Sequence, residues 1–209
     1  MNQKIDISNV VLRTERLLIR PWSQSDLDDL YEYASVDGVG QMAGWKPHES
    51  KAESQMILDM FIRDKKTFAL EYQGKVIGSV GIEEYNEARY PGFEKKKCRE
   101  IGYVLSKAYW GRGLMPEAVK EVICFLFDNA GLDIIFCGHY LSNEQSKRVQ
   151  EKCGFRHYVF DTRETIINTV EDHEETILTK EDWLAHKSEY AGEKQILQTS
   201  SLKETDHQK

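Results

Sequence analysis

From Trp110 to Pro116 the sequence reads WGRGLMP, and a run of helical apolar spacing follows it to Phe127. The first four N–H groups of a helix have no partner inside it, and the aligned peptide dipoles make that end positive, so it is a natural seat for an anion. Gly111 and Gly113 let the backbone approach a phosphate with no Cβ in the way. Arg112 adds a charged, planar donor fork that suits phosphate oxygens. Pro116 falls in the first helical turn, where its missing N–H costs little. A plain turn before a helix, with Arg112 solvated, uses the same residues. Two common nucleotide loops fit poorly. A Walker loop carries Lys-Ser/Thr after its second glycine, where Leu114-Met115 stand here. A dinucleotide fingerprint needs a third glycine and a tight turn straight off a strand, whereas residues 106–110 intervene.

The elements that must position this segment can be read from periodicity. Arg16 to Trp22 is a short strand stopped by Pro21, and SQSDLDDLYEYA then opens a helix with a serine and aspartate start. Gly38 to Pro47 is a loop, and ESKAESQMILDMFIRDKK has helical period. TFALEYQGKVIGSVGIEEY is a hairpin turning at Gln73-Gly74. Residues 86–97 form a polar loop or insertion, and REIGYVL, Arg99 to Leu105, is a strand. The helix after the glycines leads to a buried strand, Asp133 to Tyr140. NEQSKRVQEKCGF is a helix with Asn143 as its cap and a stop at Gly154. Strands near residues 157–162 and 174–179 close the domain. This order predicts an α/β fold with three α/β/α layers and a mixed sheet. One domain is expected over residues 1–187, with a disordered tail over 188–209.

Composition narrows the class. The 209 residues are 40% hydrophobic and carry a net charge of −7, which suits one ordinary core and not a non-specific nucleic-acid surface. Cys98, Cys124, Cys137 and Cys153 lie far apart with no histidine at ligand spacing, and read as buried thiols of a reducing compartment. No stretch reaches the ~20 apolar residues that cross a bilayer. No metal motif is present: the six histidines form no His-Glu-x-x-His pattern, and His139 reads as a satisfied core or cleft histidine. A cytoplasmic protein without nucleic-acid, membrane or metal partners is expected, as a monomer or homodimer.

Four segments together resemble one family. REIGYVLSKAYWGRGLMPEAV is similar to the acyl-CoA-binding strand and loop of the GNAT acetyl-CoA-dependent N-acetyltransferases, nearest the branch of the ribosomal-protein N-terminal (alanine/serine) acetyltransferases. LRTERLLIRPWSQSDLDDL resembles that branch's opening, GKVIGSVGI the superfamily's third strand, and NEQSKRVQEKCGF its Asn-x-x-Ser…Gly-Phe helix. The resemblance implies an acyl-CoA N-acyltransferase fold whose sheet splays between Arg99–Leu105 and Ile134–Tyr140. It implies acetyl-CoA as co-substrate, with pantetheine along the first of these strands. The Leu105 N–H would polarise the thioester carbonyl, and Trp110, Gly111, Arg112, Gly113, Leu114 and Met115 would hold the pyrophosphate. Asn143 and Lys147 would reach the pantetheine arm or a phosphate, although Asn143 has its capping role as an alternative. Trp110 and Met115 depart from the superfamily's usual Gln/Arg and small residue.

The same resemblance frames the chemistry as amine attack on a thioester. Glu100, which shares a strand face with Gly102 and Val104, is the candidate base, or else a surface carboxylate paired with Arg99 or a lysine. Many members use a tyrosine four residues before the Gly of Gly-Phe. Gln150 stands there, so Ser146 is the candidate acid or thiolate stabiliser. Trp22, Tyr31, Trp45 and Tyr103 are candidate substrate contacts, with Tyr103 and Tyr140 alternatively core or rim aromatics. The expected acceptor is a protein or peptide N-terminal α-amine. The alternatives are a small amine (aminoglycoside, polyamine or amino acid), or a CoA-binding regulatory protein without turnover.

Overall fold

The computed structural model describes residues 1–165, 168–185 and 187. The tail expected over 188–209 lies outside them. Eight strands form one sheet: β1 (Leu12–Arg13), β2 (Leu17–Pro21), β3 (Thr67–Tyr72), β4 (Lys75–Glu83), β5 (Cys98–Leu105), β6 (Ile134–Tyr140), β7 (Arg156–Glu164) and β8 (Val170–Thr179). Their spatial order is β1-β2-β3-β4-β5-β6-β8-β7. Every neighbouring pair is antiparallel except β5–β6, which is parallel. Helices α1 (Leu27–Ala34), α2 (Lys51–Asp64), α3 (Leu114–Asp128) and α4 (Glu144–Lys152) complete the fold.

Local chemistry sets the element ends. Gln73 and Gly74 both have positive φ, 53° and 81°, the geometry of a tight hairpin turn matched to strand twist. Ser23 and Asp26 form a reciprocal capping box that starts the short 3₁₀ turn before α1. Ser50 accepts from the Glu53 N–H and starts α2. In α3, Leu114, Met115, Ala118, Val119, Val122, Ile123, Leu126 and Phe127 are buried, a stripe at the helical period.

Alternation along the strands divides the core between the two faces. On one face, Ile19, Phe68, Leu70 and Ile101 pack against the α3 stripe. On the other, Ala69 and Val76 pack with Trp22, Leu30, Tyr33 and Leu58 beneath α1 and α2. The segment between β4 and β5 is irregular, as its polarity predicts, but it also builds core. Tyr85, Tyr90 and Phe93 surround Phe136 of β6 with ring centroids 5.2, 5.7 and 5.4 Å away. Aromatic pairs of this kind add about 0.5–1.5 kcal/mol each beyond the area they bury.

One boundary differs from the sequence reading: a two-residue strand, β1, precedes β2 and pairs with it. The helix after the glycines begins at Leu114, with Pro116 in its first turn as expected, because Trp110 is extended (ψ 154°) and Gly111 and Gly113 are left-handed. No described helix is long and apolar enough to cross a membrane.

Candidate active site

The parallel pairing of β5 with β6 lasts three rungs, Cys98↔Ile134, Arg99↔Ile135 and Glu100↔Phe136, and then stops. Beyond it β6 continues along β8 while β5 stays on β4, so the two strands part from about Gly102 onward. Backbone direction along β5 follows from its ends. The Lys97 carbonyl accepts from Asp133 N (2.8 Å) on the β6 side, and Ser106 N donates to Ile77 O (2.7 Å) on the β4 side. Alternate residues of a strand present their backbone groups to opposite edges. Tyr103 and Leu105 therefore turn their N–H groups toward the opening. A cleft of about 540 Å³ occupies it, lined by β5 from Glu100 to Leu105, β6 from Cys137 to Tyr140, and the starts of α3 and α4.

At one end of this cleft lies the mouth of α3. Gly111 (φ 76°) and Gly113 (φ 74°) are both left-handed, a conformation costly for residues with a Cβ, and no side chain caps the helix. Leu114 and Met115 bury their side chains, while residues 111–113 stay exposed. A strut braces the loop. Arg16 donates through Nε to Glu117 (2.7 Å) and through Nη1 to the Arg112 carbonyl (2.9 Å). The Trp110 indole donates to the Leu105 carbonyl (2.8 Å), tying loop to strand end. Arg112 stacks over Tyr109, 5.0 Å from its ring centroid, and does not line the cleft.

Across from this mouth, α4 contributes two cations that the sequence reading passed over. Arg148 and Lys152, one turn apart, line the cleft. Lys147, the expected contact, is exposed and does not. The helix phase explains the difference. Ser146 and Gln150 face the sheet, so position 147 points out and 148 and 152 flank the opening. Asn143 caps α4 by accepting from Ser146 N (3.0 Å) and donates to the Met42 carbonyl (3.2 Å), which pins α4 to the 41–43 turn. Its side chain is occupied as the capping alternative expects.

Ser146 sits at the cleft's centre. Its hydroxyl is 3.0 Å from the Tyr103 hydroxyl and accepts from Gln150 Nε2 at 3.3 Å. Gln150, 1% exposed, is a buried hub. Its amide donates to the Gly138 carbonyl (3.1 Å), and its oxygen meets Thr176 Oγ1 (3.0 Å) and His139 Nδ1 (3.0 Å). Burial holds the Tyr103 hydroxyl well above its ordinary pKa, so it acts as a neutral hydrogen-bonding group.

On the opposite face of the sheet, Glu100 lines the cleft with Arg163 and His173. Burial raises the Glu100 carboxyl above its usual range, and the Arg163 charge pulls the other way. Arg163 Nη2 lies 3.8 Å from Glu100 and 2.6 Å from the buried Glu175. Burial, then the charge on Glu100, pushes Glu175 up to about 7. Burial, then the Arg163 charge, lowers His173 to about 3, so its imidazole is neutral. Sequence spacing gave no signal for Arg163, His173 or Glu175.

The expected substrate contacts scatter. Trp22 is 6% exposed and packs on Phe61 (5.4 Å) inside the α1–α2 core, because the chain turns inward after Pro21. Tyr31 lines neither this cleft nor the second one. Trp45 lines that second cavity, of about 520 Å³, between α1, α2 and the sheet; Val104 borders both cavities. Tyr103 stands in the main cleft beside Ser146.

Comparison with known proteins agrees with this geometry. Residues 16–156 match the model of the acetyltransferase (GNAT) domain family. The N-acetyltransferase YoaA of Bacillus subtilis, itself uncharacterised, is 28% identical over 153 residues, covering 70% of this chain and 82% of that one. A solved structure from Vibrio cholerae, provisionally named a ribosomal-protein-serine acetyltransferase, superposes with TM-score 0.68 at 16% identity, covering 82% of this chain and 98% of that one. Spermidine N-acetyltransferase of Vibrio cholerae, solved with CoA and spermine, superposes with TM-score 0.67 at 19% identity, covering 82% and 99%. The chain belongs to the GNAT acetyltransferase family, whose members are acetyl-CoA-dependent N-acetyltransferases.

Proposed function

We propose that the amine acylated by this acetyltransferase is the N-terminal α-amine of a protein or peptide, and that the protein works in the cytoplasm. The carrying observation is the charge of the acceptor face. Among the described residues that line it, Glu100 is the one carboxylate, with one guanidinium, Arg163, and a neutral His173 beside it, and Glu175 behind them is fully buried, so no surplus of exposed carboxylates awaits a polycation. A free α-amine has a pKa of about 8 against about 10.4 for a lysine-type amine, so it sheds its proton to a single carboxylate far more readily. The two Vibrio cholerae neighbours carry names of both kinds, one a ribosomal protein and one a polyamine.

The site's groups divide the work. The free N–H groups at Gly111 to Met115, with Arg148 and Lys152 opposite, suit a diphosphate, while Trp110 braces the loop. The free edge of β5 suits an extended, amide-bearing arm, and acetyl-CoA carries both features. The Leu105 N–H is aimed at the gap where charge develops on the carbonyl oxygen. As the amine nitrogen bonds to the acetyl carbon, the carbon–sulfur bond breaks and the amine loses one proton. Glu100 takes that proton, directly or through one water. Ser146 accepts from Gln150, and its O–H, shared at rest with the Tyr103 hydroxyl, turns to donate to the departing sulfur.

An acceptor screen that reads thiol release from acetyl-CoA tests the reading. Peptides with free N-termini should turn over, and the same peptides with blocked N-termini should not. Turnover of polyamines or aminoglycosides with no peptide activity would replace it with the small-amine reading.

A further inference from the structure

Behind Glu100 lies a buried charge cluster that the reaction scheme leaves unused. Its centre is Glu175 of β8, with no exposed surface. Glu175 Oε2 accepts from Arg163 Nη2 at 2.6 Å and from the Tyr90 hydroxyl at 2.8 Å. The same Nη2 lies 3.8 Å from Glu100, beyond hydrogen-bond reach. One guanidinium thus has two carboxylates nearby and bonds the inner one. Glu175 Oε1 and Arg163 Nε have no hydrogen-bond partner among the described residues. Apolar residues often replace a buried ion pair with little loss of stability, so packing alone is a weak reason for a carboxylate here.

We infer that Glu175 is a positioning residue that holds Arg163 off Glu100, so that Glu100 meets the acceptor amine as an unbridged carboxylate. The inference rests on Glu100 being the base. A carboxylate bonded by a guanidinium is stabilised in its charged form and becomes a poor proton acceptor. By engaging Arg163, Glu175 leaves Glu100 its proton affinity. Two facing carboxylates titrate as a pair, and within it the hydrogen bonds from Arg163 and the Tyr90 hydroxyl favour the charged form of Glu175. The other groups facing the pair are Glu83 of β4, Arg89 (bound to Asp161 of β7), the neutral His173 of β8 and Tyr140 of β6. Cys137 and His139 lie on the far side of β6. None of these bonds Glu100.

The test is kcat/KM against pH, with one peptide acceptor and saturating acetyl-CoA. In Glu175→Gln, Arg163 closes on Glu100. The acid limb should move down by about one pH unit, and kcat should fall about tenfold with KM nearly unchanged. In Arg163→Gln the limb should move up, and the double variant should return it toward wild type. Loss of packing alone does not produce shifts of opposite sign. A Glu175→Gln limb that overlays wild type, or two single variants that shift the same way, overturns the inference. If a thermal melt shows that Glu175→Gln does not fold, Glu175→Asp, which keeps the charge but shortens its reach to Arg163, decides: a limb moved down supports the inference and an unmoved one overturns it. Glu100→Gln separates the two levels. Unchanged activity there refutes Glu100 as the base, and with it the inference. Lost activity there, beside an unmoved Glu175→Gln limb, refutes the inference alone.

Discussion

Replacing Gly111 by alanine probes the mouth of α3 without disturbing its contacts. Gly111 has φ 76°, and a Cβ built there meets nothing within 4 Å. The change adds only left-handed strain, about 1–2 kcal/mol. At about 2–4 °C per kcal/mol for a domain of this size, Tm should fall by roughly 2–8 °C. The strain relaxes most readily by rotating an adjacent peptide, which turns an N–H away from the anion. Losing one hydrogen bond to a charged group costs about 1.5–3 kcal/mol, so the acetyl-CoA Kd should rise about 10- to 150-fold. Gly111→Asn separates strain from contact. Asparagine tolerates the left-handed region, so Tm should fall less. Its side chain still occupies the space that the ligand approaches, so affinity should fall as far. Calorimetry and scanning fluorimetry read both quantities. If Tm falls as calculated while both variants bind acetyl-CoA like wild type, the loop is a plain turn and the reasoning fails.

Other consequences are checked more briefly. Ser146→Ala should lower kcat about tenfold with little change in acetyl-CoA KM, since its hydrogen bond to sulfur matters only as the bond breaks. Arg148→Ala and Lys152→Ala should each raise the acetyl-CoA Kd several-fold at low salt and less at high salt, and Lys147→Ala should do so far less, by calorimetry at two ionic strengths. Gln150→Leu strands His139 Nδ1 and removes the amide donor to the Gly138 carbonyl, while Thr176 Oγ1 keeps its bond to the Cys137 carbonyl, and should cost about 2–3 kcal/mol in urea denaturation. His173 is lowered to about 3 in the fold, so the unfolded chain gains its proton first as pH falls, and its contribution is lost below about 6.5. From pH 6.5 to 5 this amounts to about 2 kcal/mol at 1.36 per unit. The raised carboxyls of Glu100 and Glu175 act in the opposite sense. The difference between wild type and His173→Asn denaturation curves isolates the histidine.

What the sequence discloses here depends on how local each signal is. The Gly-Arg-Gly turn, the helix after it and the two strands beside the cleft could be read directly, because glycine, proline and period act within a few residues, whereas the parting of those strands followed only from the family resemblance. The Asn143 cap was legible for the same reason. Helix phase was not. Without knowing that Ser146 and Gln150 face the sheet, Lys147 and Arg148 look equivalent. Trp22 resembles a loop aromatic in sequence, yet the turn after Pro21 drives it under α2. Glu175 and Arg163 were invisible because their meeting with Glu100 depends on β8 lying between β6 and β7, a pairing order that no local pattern encodes. Tyr85, Tyr90 and Phe93 were hidden by the polar residues around them, although together they wrap Phe136.

The most direct test of the central claim is an amide NMR titration of the ¹⁵N-labelled protein with acetyl-CoA. Saturable shifts should concentrate at Gly111, Gly113, Leu114 and Met115 and along the free edge of β5 at Tyr103 and Leu105. Saturation of the protein with those six amides unmoved would contradict the account.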